Sequence, residues 1–232
     1  MYLLGLTGSI AMGKSTAAAT FRALGVPVFD ADAAVHRLLA PAGAAVAEVS
    51  AAFPACVRDG AIDRRALGRV AFADPAALAR LEAILHPRVG AAERRFLARC
   101  AAARRPLVVL DIPLLFETAG ERLVDAVAVV SAPLFVQAQR VLGRAGMTPE
   151  RLAAIRARQM PDAEKRRRAD VVIPTGLERR HAVVAIAALV DRLRGRPGRV
   201  WPWRWAPQPG RRLAGAARAA IQGASRRAAR ET

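Results

Sequence analysis

The stretch Thr7-Gly8-Ser9-Ile10-Ala11-Met12-Gly13-Lys14-Ser15-Thr16 constrains this chain more than any other. It has the form Gly, four residues, Gly-Lys-Ser. It stands between a short apolar run, Met1 to Leu6, and an Ala-rich segment, Thr16 to Leu24, that reads as a helix. A strand, a glycine loop and a helix start in this order suit a chain of phosphates, because backbone N–H groups, a helix N-terminus and one cation can share the negative charge. In this pattern Gly8 and Gly13 let the backbone curl around the phosphates, Lys14 reaches the β- and γ-phosphates, and the Ser15 hydroxyl holds Mg²⁺. Composition adds a second argument. The basic residues are almost all Arg, and the only lysines are Lys14 and Lys165. A Lys at the one position where a compact ammonium is wanted points to function.

A length of 232 residues allows one sizeable α/β domain with an insertion and is short for two independent domains. Much of the 53% hydrophobic share is Ala, so the expected core is Leu, Val and Ile carried on Ala-rich helices. The formal charge of +18 favours polyanions without choosing among nucleotides, nucleic acid and acidic membrane. Between Arg194 and Thr232 ten Arg face one Glu, so half of the excess describes the tail rather than the site. Cys56 and Cys100 have no metal-ligand spacing and no neighbouring His pair, and read as reduced thiols. No uncharged run reaches membrane-spanning length. The first apolar stretch has no basic residue before it and runs straight into the loop, against a signal peptide, so a cytoplasmic location is expected.

Further along, Gly25 to Phe29 reads as a second strand that closes on Asp30-Ala31-Asp32. Carboxylates at the C-terminal end of a parallel strand face the ligand crevice, where one can take a proton or help hold a metal; either Asp can instead cap the segment Ala33 to Leu39. From Pro41 to Arg105 the pattern is helical, without a convincing strand, and broken by turns at Phe53-Pro54, Asp59-Gly60, Asp74-Pro75 and His86-Pro87. It reads as an insertion for a second substrate, with His86 in an extended or turn conformation. Leu107 to Asp111 is the best strand of the chain, and Asp111 can assist Mg²⁺ or cap. Ile112 to Glu117 reads as a loop and short helix lining the crevice. Asp125 to Val130 and Asp170 to Pro174 read as strands, and Glu178 to Leu193 as a final amphipathic helix. The segments Leu134 to Arg144 and Pro149 to Arg168 read as helices dense in Arg, either a lid bringing Arg to phosphates or, for most of these Arg, a solvated face. The tail from Gly195 holds every Trp of the chain, Trp201, Trp203 and Trp205, among Arg and Ala, and reads as a disordered or loosely helical appendage.

Four separated features resemble the dephospho-CoA kinase family: the loop Thr7 to Thr16; Asp30-Ala31-Asp32 after a short strand; His86-Pro87 followed by Val89; and Pro113-Leu114-Leu115-Phe116-Glu117 after the third strand. Weaker agreement continues through Gln159 and Ala169 to Ile173, and the likeness covers roughly residues 2 to 194. It implies a phosphate-loop α/β fold, a three-layer α/β/α parallel sheet with residues 1–40 and 106–194 as the nucleotide-binding core. It also implies a helical CoA-binding insertion over 41–105, a lid near 134–168, and a basic tail, 195–232, that has no counterpart. The implied reaction moves the γ-phosphoryl group of ATP to the 3′-hydroxyl of the ribose of dephospho-CoA. Asp32 is the implied general base, Lys14 and Arg140 act on the phosphates, and Gly8, Ala11, Met12, Gly13, Lys14, Ser15 and Thr16 form the ATP cradle. His86, Pro113 and Leu114 join Asp32 on the substrate, while Ser15 and Asp111 hold Mg²⁺.

Two loop positions depart from the family pattern, which usually has Gly where Ala11 stands and Ser where Met12 stands. Ala11 adds a Cβ where backbone meets phosphate, and a positive φ there would lower affinity. Two other classes remain open: a different small-molecule kinase with the same loop, or an ATP-binding protein that acts on nucleic acid or membrane through its tail. The implied partner is a small molecule, with no obligatory nucleic acid or membrane and with a tail suited to anionic surfaces.

Overall fold

The computed structural model describes residues 1–157 and 159–205, and of Phe72 only the backbone. The first apolar run forms β1 (Tyr2–Thr7), buried along its whole length. The loop then opens α1 (Lys14–Ala23), whose Ala17, Ala18 and Phe21 face inward. Next come β2 (Val28–Asp30), α2 (Ala31–Leu38), α3 (Val46–Ala52), β3 (Val57–Arg58), β4 (Ala61–Ile62), α4 (Arg64–Ala73), α5 (Pro75–Ala102) and β5 (Leu107–Asp111). The chain continues through β6 (Ala126–Ser131), α6 (Leu134–Leu142), α7 (Pro149–Ala157), α8 (Asp162–Arg168), β7 (Val171–Pro174) and α9 (Arg179–Arg194).

Among the described residues, five strands form a sheet of order β2-β5-β1-β6-β7 in which each neighbouring pair is parallel. One face packs on α2 and α5 through Leu3, Phe29, Leu97, Val108 and Leu110. The other packs on α1 and α9 through Leu4, Leu6, Phe21, Val109 and Ile186. This is the expected three-layer α/β/α arrangement, and it follows from strands that are apolar at every position rather than at alternate ones. The winding changes sides at β1, with β5 and β2 on one flank and β6 and β7 on the other. Ligands of open α/β sheets bind outside the C-terminal strand ends at such a point. The strand register sets Asp30 beside Asp111 at that edge.

The insertion is helical as expected, with two corrections. Val57–Arg58 and Ala61–Ile62 pair as a small antiparallel ladder, although no strand was expected between Pro41 and Arg105. Its turn is Asp59-Gly60, with φ of 49° and 74°, the left-handed pair that a two-residue hairpin needs. Two-residue arms are too short to show alternation, so only the turn carried the signal. Second, His86-Pro87 does not end a helix: α5 passes through it for 28 residues. A proline in a helix interior costs about 3 kcal/mol. Leu81, Leu85, Val89 and Leu97 are buried along the same helix, each worth roughly 1.5–3 kcal/mol, and together they outweigh it. Arg88 also donates to the Ile84 carbonyl (2.8 Å) beside the interruption. Asp74 caps the start of α5 by accepting from Ala76 and Ala77, with Pro75 at the first helical position.

The tail expectation is corrected for its described part. Beyond α9 the chain returns to the lower edge of the sheet, where Arg199 and Val200 donate backbone N–H groups to Asp125 Oδ1 (2.6 and 3.0 Å). The other oxygen of Asp125 accepts from Leu3 N (2.7 Å), so one carboxylate joins the tail to β1. Trp205 is buried and its Nε1–H donates to the Leu123 carbonyl (3.0 Å). A large apolar ring with one satisfied donor is enough to dock a short Arg-rich segment. The expectation of disorder for 206–232 lies outside the described residues.

Candidate active site

The loop between β1 and α1 owes its two glycines to different causes. At Gly8 an added Cβ would lie 2.4 Å from Val130 Cγ2 and 2.8 Å from the Val130 carbonyl, so β6 requires glycine there. At Gly13 φ is 85°, and an added Cβ would press on Thr175 at 3.2 Å. Gly13 also caps α1 without any side-chain hydrogen bond. Gly13 thus places no capping side chain on the first N–H groups of α1, which suits an anion at this helix start. Ser15 and Thr16 are exposed on this first turn, and Lys14 is half-buried.

Ala11 adopts φ 59°, the conformation in which its Cβ is disfavoured. The loop is braced around it. Arg140 donates to the Ala11 carbonyl (3.5 Å) and to the Thr175 carbonyl (2.6 Å), and Thr175 Oγ1 donates to the Met12 carbonyl (2.7 Å). Met12 turns its side chain into the core, fully buried, where Sδ accepts from Ala132 N (3.2 Å), and its own N–H donates to the Ser9 carbonyl (3.2 Å). The structure thus gives Met12 a packing role, with its N–H used inside the loop. Arg140, expected on phosphate, is held on backbone carbonyls.

Lys14 Nζ donates to Asp111 Oδ1 at 2.5 Å. Asp111 ends β5 and is almost wholly buried; that burial pushes its carboxyl above the ordinary Asp range, with Lys14 pulling the other way. Asp30 accepts from Ala33 N (2.9 Å) and lies 3.7 Å from Arg22, so the capping role is the one realised. Asp32 follows in the first turn of α2, 8% exposed.

The other expected site residues divide. Pro113 is half-buried and its carbonyl accepts from Thr7 Oγ1 (3.0 Å), which ties it to the end of β1. Leu114 is buried in the core. His86 is half-buried on α5, which packs against α2. The segment Ile112 to Glu117 forms turns rather than the expected short helix.

Sequence reasoning missed three anchors of the lid. Glu117 Oε1 accepts from Met160 N (3.0 Å) and lies 2.8 Å from Lys165 Nζ, fully buried despite its place in a basic run expected to be solvated. Gln137 donates to the Ile10 carbonyl of the loop, and Arg156 donates to Gln137 Oε1. The available signal for Gln137 was a glutamine four residues before Val141, on the buried side of α6.

A family model described as dephospho-CoA kinase matches residues 2–178. The chain belongs to the dephospho-CoA kinase family. It is 69% identical over 166 residues to the dephospho-CoA kinase of Paramagnetospirillum magneticum, covering 72% of this chain and 78% of that one. It is 56% identical to that of Mesorhizobium japonicum, covering 85% of this chain and 100% of the relative. Among solved structures it is similar to TT1252 from Thermus thermophilus, with a TM-score of 0.71 and 38% identity over 83% of this chain and 97% of the other. Membership of the dephospho-CoA kinase family makes the chain an ATP-dependent kinase acting on a small molecule. No helix among the described residues is long and apolar enough to cross a membrane.

Proposed function

We propose that this chain transfers the γ-phosphoryl group of ATP to the 3′-hydroxyl of the ribose of dephospho-CoA, giving coenzyme A and ADP. The observation that carries the proposal is the Lys14–Asp111 pair at the C-terminal sheet edge. The pair lies beside a helix start whose N–H groups have no side-chain cap, in a chain of this family. Lys14 is the accessible member, with 17% of its side chain exposed against 4% for Asp111, so it can turn from the carboxylate to the β- and γ-phosphates. The cradle comprises Gly8, Ala11, Gly13, Lys14, Ser15 and Thr16.

The donor set fits Mg²⁺, because the Ser15 hydroxyl and the Asp111 carboxylate are hard oxygens of the kind that would hold it. When bound, it neutralises charge on the triphosphate. Asp32, mostly buried at the start of α2, takes the proton of the acceptor hydroxyl as that oxygen bonds to the γ-phosphorus and the bond to the β-phosphate oxygen breaks. Arg140 holds the loop in shape from its carbonyl side. The insertion, 41–105, faces α2 through α5 and presents His86 on that helix, which supports it as the acceptor-binding region. A cytoplasmic location and a tail with affinity for anionic surfaces complete the proposal.

The test is ATP consumption by the full chain with Mg²⁺, comparing dephospho-CoA with AMP, shikimate, gluconate and no acceptor. Turnover with dephospho-CoA and a 3′-phosphorylated product is expected; turnover with another acceptor alone overturns the substrate. Asp32→Asn is expected to lose most turnover while ATP binding, measured by calorimetry, is kept. Near-normal turnover in that variant removes Asp32 as the base.

A further inference from the structure

Ile10, in the middle of the loop, is held on both of its backbone groups by two glutamines of the lid region. Gln159, just beyond α7, accepts the Ile10 N–H at 3.1 Å, and Gln137 on α6 donates from Nε2 to the Ile10 carbonyl at 2.9 Å. Both side chains are buried, at 8% and 2% exposure. Arg156 on α7 donates to Gln137 Oε1 from Nε (2.9 Å) and Nη2 (2.6 Å). A guanidinium only donates and a backbone carbonyl only accepts, so one orientation of the Gln137 amide satisfies both neighbours. Arg156 thereby makes Gln137 present its N–H to the loop. The N–H of Ile10, directed at Gln159, is not a phosphate donor in this shape.

On the far side of the loop, Arg140 and Thr175 hold the carbonyls of Ala11 and Met12. Ala11 itself sits at φ 59°, which an alanine does not choose unaided. Polar groups buried at the foot of the lid are therefore spent on the backbone of the phosphate loop, where a loop that needed no support would leave apolar packing. Because a buried donor or acceptor that loses its partner is costly, displacing α6 or the Gln159 turn must disturb Ile10.

We propose that Gln137 and Gln159 are positioning residues that hold the phosphate loop in its ATP-binding shape, so that ATP affinity depends on the packing of the lid against Ile10. The proposal rests on the loop being the ATP site. It is tested in the full chain with Gln137→Met and Gln159→Met, which keep side-chain length and remove the donor and the acceptor. The readouts are the Kd for ATP by calorimetry without acceptor, the KM for dephospho-CoA, and Tm. Each variant is expected to weaken ATP by roughly tenfold, the size of one buried hydrogen bond and the group it leaves unpaired. The KM for dephospho-CoA should stay within about twofold. The double variant should weaken ATP by less than the product of the singles, because both act on one residue. Arg156→Met should give a smaller loss, since the Gln137 amide is then free to turn.

An unchanged ATP Kd in folded single variants overturns the proposal, as does an equal change in both substrates. If either glutamine variant does not fold, Arg156→Met decides alone: an unchanged Kd there overturns the proposal too. A wild-type chain that binds no ATP breaks the assignment of the loop itself. Wild-type binding with unaffected variants breaks only the role of the glutamines.

Discussion

Lys14 at the phosphate loop and Lys165 at the foot of the lid are the only lysines of the chain, and each meets a carboxylate. The two regions use the pair in opposite senses. At the loop the carboxylate is buried and the lysine partly open, with side-chain exposures of 4% for Asp111 and 17% for Lys14. At the lid the lysine is fully buried, at 0%, and Glu117 is the open member at 17%. A cation on the open side can leave its partner for a ligand. A cation on the closed side can only hold its partner, and Lys165 together with Met160 N fixes Glu117 beneath α8. Rarity of lysine in an Arg-rich chain thus marks where a compact ammonium is required; whether the reason is chemistry or packing depends on which partner faces solvent.

Substitution at the loop lysine should separate the two uses most strongly. Lys14→Ala is expected to lower turnover by roughly a thousandfold, because it removes the cation proposed to act on transferring phosphate, while leaving a folded protein. A kcat within tenfold of wild type would make the loop pair structural like its counterpart. Lys165→Met should do the reverse and cost about 3–5 kcal/mol of stability, since it leaves Glu117 without its cation. Urea unfolding measures it, and kcat per folded molecule should stay near wild type. Pairing it with Glu117→Met should restore much of the loss, and no recovery would mean that Glu117 acts mainly through Met160 N.

Glu93 is the control that neither lysine reaches. It lies on α5, 2% exposed, and its Oε1 meets no hydrogen-bond partner among the described residues. Desolvation raises its pKa from 4.5 to about 8. The folded state therefore holds this proton more tightly than the unfolded chain. Its contribution to stability is full below about pH 4.5 and is lost as pH rises through 8. Over that window the loss is on the order of a few kcal/mol. Glu93→Gln should flatten the dependence, raising Tm at pH 8 and changing it little at pH 5. Equal shifts at both pH values would show that the carboxyl is not held neutral. The smallest effect is expected at Ala11, where Gly relieves the left-handed backbone: Ala11→Gly should gain about 1 kcal/mol or less and bind ATP at least as tightly. Weaker binding would show that the braces around Ala11 depend on its Cβ.

Much of the site was legible because its parts are contiguous. Gly8, Gly13, Lys14 and Ser15 follow one another along one strand-loop-helix, and Asp111 closes the most apolar run of the chain. The Asp59-Gly60 hairpin and the helical course through Pro87 were less legible. In the first the turn is local but its strands are two residues long, and in the second burial of Leu85 and Val89 overrides a local breaker. Trp205 and Arg199 read as part of a disordered or loosely helical appendage because nothing near them in the chain announces Leu123 and Asp125 as their respective partners.

By itself the sequence determined that a glycine loop joins the first strand to the first helix, and that the sheet is parallel and buried, since these depend on residue order within a single element and its neighbours. Only the tertiary structure decided that Lys14 rests on Asp111, 97 residues away, that Gln137 and Gln159 grip Ile10 across 127 and 149 residues, and that Glu93 is buried with its Oε1 unpartnered among the described residues. Those contacts join groups whose own local preferences are silent about each other. They form because packing the layers brings the groups together in a place where water cannot satisfy them.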